Sequence, residues 1–181
     1  GTLLTDNKQI SDGNRRALEK AASEGIYIVP ATGRALYTMP ECVMELDCIK
    51  YAVTSNGAAI VNMKTGEVLY KNQMDYLTAE KIIKCGLEMD IMVEVFTNGR
   101  AYTLKRYMTE LVEYGVNPRF TEWLKDTRET VESFSDILNN DSTIENINLI
   151  FSDMDKRDEM RKYLLACPDV ELTNSIVNNL E

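Results

Sequence analysis

Between Ser11 and Glu24 the chain is rich in Ala, Leu, Arg, Glu and Lys, a composition that favours helix. Ser11 supplies an N-cap oxygen for an orphan N–H of the first turn, and Gly25 supplies the left-handed position past the last turn. The run Ile26-Tyr27-Ile28-Val29 is then β-branched and almost wholly apolar, which predicts a strand covered on both faces. It stops at Pro30-Ala31-Thr32-Gly33-Arg34. A helical pattern over 35–46, with Pro40 in an early turn or a kink, leads to a second buried strand at Tyr51-Ala52-Val53-Thr54. Strand, helix and strand at this spacing predict a βαβ unit with a right-handed crossover.

The pattern then changes. Two short strands within 59–71 flank Lys64-Thr65-Gly66 and predict a hairpin, and a helix is predicted over 78–89. Alternating residues at 92–97 and 101–104 flank Asn98-Gly99-Arg100. Asn-Gly is the strongest short hairpin signal, because both central residues of a type I′ turn need positive φ. Helical pieces are expected over 105–138, interrupted at Gly115 and Pro118. A strand over 144–151, a helix over 155–166 and a last strand over 170–173 complete the pattern. This half reads as α+β, with no internal repeat and no low-complexity linker.

The 44% hydrophobic and 27% charged residues are those of an ordinary globular protein. No apolar run approaches the roughly 20 residues of a membrane-spanning helix, and no signal-like segment opens the chain, so a cytoplasmic protein is the default expectation. Histidine is absent, which removes Ser-His-Asp and Cys-His catalysis and any His-ligated metal site. A net charge of −9 counts against nucleic acid as a partner. A small anion bound by local donors remains compatible with it. Cys42, Cys48, Cys85 and Cys167 lack C-x-x-C spacing, and reduced, mostly buried thiols are expected.

Chemistry is expected at the carboxyl ends of the two parallel strands, where open α/β sheets bind ligands. Thr32 offers a hydroxyl, Gly33 a backbone N–H and Arg34 a planar charged fork, all suited to phosphate. A plain strand-to-helix turn with a solvated arginine fits the same three residues. Asn56-Gly57 ends the next strand, either orienting a ligand or forming an Asx-type turn. Asp153 and Asp155 form the one D-x-D of the sequence. Placed before Lys156 and Arg157, they read as the acidic start of a helix rather than a catalytic pair. Tyr102, Tyr107, Tyr114, Phe120 and Trp123 read as core or interface aromatics.

Three segments in this order resemble the Cof-like branch of the haloacid dehalogenase superfamily. Gly1-Thr2-Leu3-Leu4 resembles the tail of a D-x-D-G-T-L-L first motif, Ala31 to Arg34 the second motif, and Thr54 to Ile60 a T-S/C-N-G-A segment. The resemblance implies an α/β fold: a partial Rossmann-like parallel-sheet core over 1–76, an inserted α+β cap (type IIB) over 77–175, and the start of a return to the core over 176–181. It also implies a Mg²⁺-dependent phosphatase of small phosphorylated metabolites that works through an aspartyl-phosphate. Thr32 would be its catalytic-site residue, Gly33, Arg34, Asn56 and Gly57 its substrate and phosphate-binding residues, and Gly1 and Thr2 a remnant of the nucleophile loop.

The carboxylate pair of the first motif would precede Gly1, and the third-motif lysine and acidic metal loop would follow Glu181. The sequence therefore reads as a fragment, inert by itself, with the Mg²⁺ ligands largely outside it and no metal ligand named within it. A non-catalytic ligand-binding or interaction module of the same shape is the alternative. An unrelated nucleotide-binding α/β domain has less support, since no G-x-G-x-x-G follows a predicted strand. Neither nucleic acid nor membrane is expected as a partner, and the oligomeric state is open.

Overall fold

A computed structural model of the chain describes residues 3–5, 7–168 and 170–181. Two compact units result, Gly1–Asn72 and Gln73–Glu181. The chain divides at 72/73 rather than at the expected 76/77.

In the first unit, helix α1 (Asp12–Ser23) begins as its capping residue dictates, with Ser11 Oγ accepting from the Asn14 N–H at 3.2 Å. At its end the Gly25 and Ile26 N–H groups return to the Ala22 and Ala21 carbonyls, and Gly25 has φ +87°. The strand expected at Ile26–Val29 is reduced to two single parallel bridges, Ile28 to Ile49 and Ala31 to Val53. Ile26, Tyr27 and Val29 are exposed, contrary to burial on both faces, because among the described residues only single bridges, not a continuous ladder, hold this segment.

The helix expected over 35–46 is also broken. A 3-10 turn at Leu36–Thr38 and a short helix α2 (Glu41–Met44) lie on either side of Pro40, which caps α2. Proline cannot donate inside a helix and restricts the residue before it, so the chain restarts there. Strand β1 (Tyr51–Thr54) pairs antiparallel with β2 (Ala59–Asn62), which pairs with β3 (Val68–Lys71). Ala52, Ala59 and Val61 pack with Leu36 and Met39 on one face of this sheet.

The second unit is built on a five-stranded sheet in the order β6-β5-β4-β7-β8. Its strands are β4 (Met92–Thr97), β5 (Arg100–Leu104), β6 (Glu129–Val131), β7 (Ile144–Ile150) and β8 (Asn179–Leu180). The β4–β5 turn is the expected one, with Asn98 and Gly99 both at positive φ. Helices α3 (Tyr76–Glu88), α4 (Thr121–Thr127) and α5 (Met154–Leu165) accompany the sheet. Ile82 and Ile83 of α3 and Met160 and Leu164 of α5 join Val93, Val95, Ile147 and Leu149 in one core.

Two strands differ from the expected pattern. Where only helical pieces were expected, β6 pairs parallel with β5. The last strand is β8, antiparallel to β7, rather than 170–173, and the segment 176–181 belongs to this second unit. These pairings are set by distant partners, which local periodicity does not report. Asp153 caps α5, its Oδ1 accepting from the Asp155 N–H at 2.8 Å. The four cysteines are free thiols of intermediate burial.

Asp75 caps α3 by accepting from the Thr78 N–H at 3.0 Å, and the bonds from Thr78 hold its carboxyl below the ordinary value. A depressed carboxyl stabilises the fold above the unfolded-state pKa and loses that contribution as pH falls through the folded one. Asn caps as well as Asp but does not titrate. The thermal midpoint of Asp75→Asn should therefore fall less than that of wild type between pH 6 and pH 3. Equal losses would show that the cap carries no charge-dependent stability.

Candidate phosphate-binding site

The loops after the two parallel segments are tied together by backbone hydrogen bonds. The Thr32 N–H donates to the Val53 carbonyl at 3.0 Å, the Asn56 N–H to the Thr32 carbonyl at 3.2 Å, and the Ser55 N–H to the Arg34 carbonyl at 2.9 Å. Within the first loop the Thr32 hydroxyl accepts from the Arg34 N–H at 3.1 Å. That bond fixes the side-chain rotamer and leaves the hydroxyl proton to be donated elsewhere. The Arg34 guanidinium is half-buried and donates Nη1–H to the Thr38 carbonyl at 3.2 Å, so it is anchored rather than merely solvated.

The second loop is conformationally costly. Ser55 has φ +49°, Asn56 φ +57° and Gly57 φ +100°. Glycine adopts such angles freely, whereas a non-glycine residue held there costs of the order of 1–3 kcal/mol. Immediately before them Thr54 is fully buried, and its hydroxyl has no hydrogen-bond partner among the described residues, a further cost of about 1–3 kcal/mol. An unsatisfied polar atom and two strained residues in the three successive positions Thr54, Ser55 and Asn56 are what a site built for something other than stability looks like.

Thus Thr32, Gly33, Arg34 and Asn56, read from the sequence as candidate site residues, come together in the structure, and Gly57, the fifth candidate, follows Asn56 in the second loop. Gly1 and Thr2 lie outside the described residues. Ser55 and Thr54 were not among the candidates. Neither a positive φ at serine nor an unpaired hydroxyl leaves a trace in one-dimensional pattern.

Among the described residues no group of three or more Cys, Asp or Glu side chains is placed to hold a metal ion. No described helix is long and apolar enough to cross a membrane.

The fold and the paired loops define an α/β protein with a polar strand-end site. More particularly, the chain belongs to the haloacid dehalogenase-like hydrolases, whose family model matches residues 1–181. It is 27% identical over 185 residues to the 5-amino-6-(5-phospho-D-ribitylamino)uracil phosphatase YcsE of Bacillus subtilis, covering 100% of this chain and 61% of that protein. It is 31% identical over 117 residues to the putative phosphatase YxeH of the same organism, covering 63% of this chain and 43% of the relative. A haloacid dehalogenase-like hydrolase structure from B. subtilis superposes with a TM-score of 0.77 at 23% identity, covering 98% of this chain and 68% of that one. One from Bacteroides thetaiotaomicron gives 0.76 at 18% identity, with 98% and 65% covered. The matched region thus spans 61% and 43% of the length of these two curated relatives.

Proposed function

We propose that the whole protein is a phosphatase of small phosphorylated metabolites and that this chain contributes its phosphate-binding turn. The supporting observation is the Thr32–Gly33–Arg34 turn, with a fixed threonine hydroxyl, an exposed glycine and an anchored arginine, braced by the strained 55–57 loop. In this reading Thr32 donates its hydroxyl proton to a phosphoryl oxygen, the Gly33 N–H gives a second bond, and Arg34 offsets charge. Phosphatase names among the relatives point the same way.

The aspartyl-phosphate route, the Mg²⁺ dependence and the division into a core and a specificity cap belong to the same proposal through family resemblance. So does the cytoplasmic location. The one D-x-D of this sequence caps α5, so the chain by itself is expected to bind phosphate without hydrolysing phosphomonoesters. Inorganic phosphate titrated into ¹⁵N-labelled chain should shift the Thr32, Gly33 and Arg34 amides. Thr32→Val should weaken that binding about tenfold or more, the value of one charge-assisted hydrogen bond. Unchanged affinity in the variant would remove Thr32 from the site, and no binding by wild type would favour a module with another ligand. Phosphate release by the 181-residue chain with Mg²⁺ present would refute the expectation that this chain binds phosphate without hydrolysing its esters.

A further inference from the structure

We infer that Asn56 is a positioning residue that acts on the phosphate turn through Gly33, rather than a group that touches the ligand. The inference rests on the proposed phosphate-binding role of that turn and assigns how the turn keeps its shape.

The side chain of Asn56 lies against the α-carbon of Gly33. A Cβ placed on Gly33 would stand 2.6 Å from Asn56 Oδ1, 3.3 Å from Cγ and 3.5 Å from Nδ2. The whole amide therefore occupies the space that any side chain at position 33 would need. The Asn56 backbone faces the same loop, its N–H donating to the Thr32 carbonyl. One residue thus holds the turn at two successive positions, by its backbone at Thr32 and by its side chain at Gly33.

This contact explains two features that are otherwise costs. Asn56 sits at φ +57° and ψ +24°, a left-handed conformation that asparagine tolerates better than most residues. That conformation returns its N–H to Thr32 and turns its amide onto Gly33. Gly33, for its part, has no positive φ, so its own backbone does not require glycine. What a side chain at position 33 would displace is the Asn56 amide, and contact with that amide keeps the Gly33 N–H presented beside the Thr32 hydroxyl.

Since the atoms in the way are the end of one flexible side chain, Gly33→Ala should be accommodated by swinging the amide aside, with the backbone N–H retained. Gly33→Ala and Asn56→Ala then remove the same contact from its two sides. Each is expected to weaken inorganic phosphate binding by the 181-residue chain about tenfold. The double variant should lose about tenfold as well, not the roughly hundredfold of two independent groups, because residues in contact are not additive. Thermal midpoints measured alongside separate lost folding from lost positioning, since only the amide contact predicts equal, non-additive losses of affinity.

Three results would overturn the inference. Phosphate affinity unchanged in Asn56→Ala while Thr32→Val abolishes it would leave the phosphate turn standing and remove Asn56 from it. A loss in Asn56→Ala but not in Gly33→Ala would mean that the amide meets the ligand directly. Multiplicative losses would mean that the two residues act separately. If wild type binds no phosphate, the reading of the turn itself fails and the inference falls with it.

Discussion

Replacing Gly115 by alanine is expected to destabilise the second unit by about 3–4 kcal/mol, among the largest single-residue effects available in this chain. Gly115 has φ +95°, and an added Cβ would lie 2.4 Å from the Phe151 carbonyl oxygen, 2.7 Å from its carbon and 2.9 Å from the Ser152 nitrogen. The left-handed backbone alone costs a non-glycine residue about 1–2 kcal/mol. The overlap adds at least as much, because every atom in the way is backbone and cannot rotate aside. Nor can the two segments separate cheaply. Asn178 Nδ2 donates both to the Gly115 carbonyl at 3.0 Å and to the Phe151 carbonyl at 2.8 Å, and the Phe151 N–H donates to the Asn178 carbonyl at 3.0 Å. Phe151 is itself 1% exposed in the core. Urea unfolding followed by fluorescence of Trp123 checks the expectation. A loss under about 1 kcal/mol would mean that the loop relaxes and that Asn178 does not clamp it.

Elements fixed by local chemistry were legible in the sequence, and those fixed by distant partners were not. Ser11, Gly25 and Asn98-Gly99 marked a helix start, a helix end and a hairpin because each signal acts on its own neighbours. The βαβ spacing of the run from Ile26 to Thr54 places the loops at Thr32 and Asn56 side by side, and backbone hydrogen bonds do join them. The first segment nevertheless makes only single parallel bridges, and the helix between is broken at Pro40. The burial of that first segment was not legible, because apolar composition at Ile26, Tyr27 and Val29 says what a residue tolerates, not what covers it. The amide of Asn56 over Gly33 was beyond reach for a similar reason. Sequence showed two glycine-containing turns, but only their three-dimensional approach makes one the wall of the other. Glu94 does carry a sequence signal: a carboxylate in the middle of Met92-Val93-Glu94-Val95-Phe96 needs a buried partner.

That partner is Arg128, and removing it is the second large effect expected. The Glu94 side chain is 0% exposed and that of Arg128 5%. The guanidinium donates Nε–H to Oε1 at 2.6 Å and Nη2–H to Oε2 at 3.3 Å, while Asn148 Nδ2 donates to Oε2 at 2.7 Å. Asn148 in turn accepts from Asn179 Nδ2 at 3.0 Å, and the guanidinium carbon lies 4.6 Å from the centre of the Trp123 ring. The pair thereby ties the end of α4 and the start of β6 to the central strand β4, and the amides extend the tie to β7 and β8. Attraction within such a pair does little more than offset the cost of taking both charges out of water, but an orphaned partner keeps its whole desolvation cost. Glu94→Ala and Arg128→Ala should therefore each cost about 3–5 kcal/mol, whereas Glu94→Leu with Arg128→Met, which leaves no charge behind, should cost far less than their sum. Hydrogen exchange should locate the damage, with amides of α4 and β6 opening first in the single variants and the α3–β4 core protected longest. Single losses below about 1 kcal/mol, or a double variant as unstable as the two singles added, would show that the pair is solvated and does not lock the sheet.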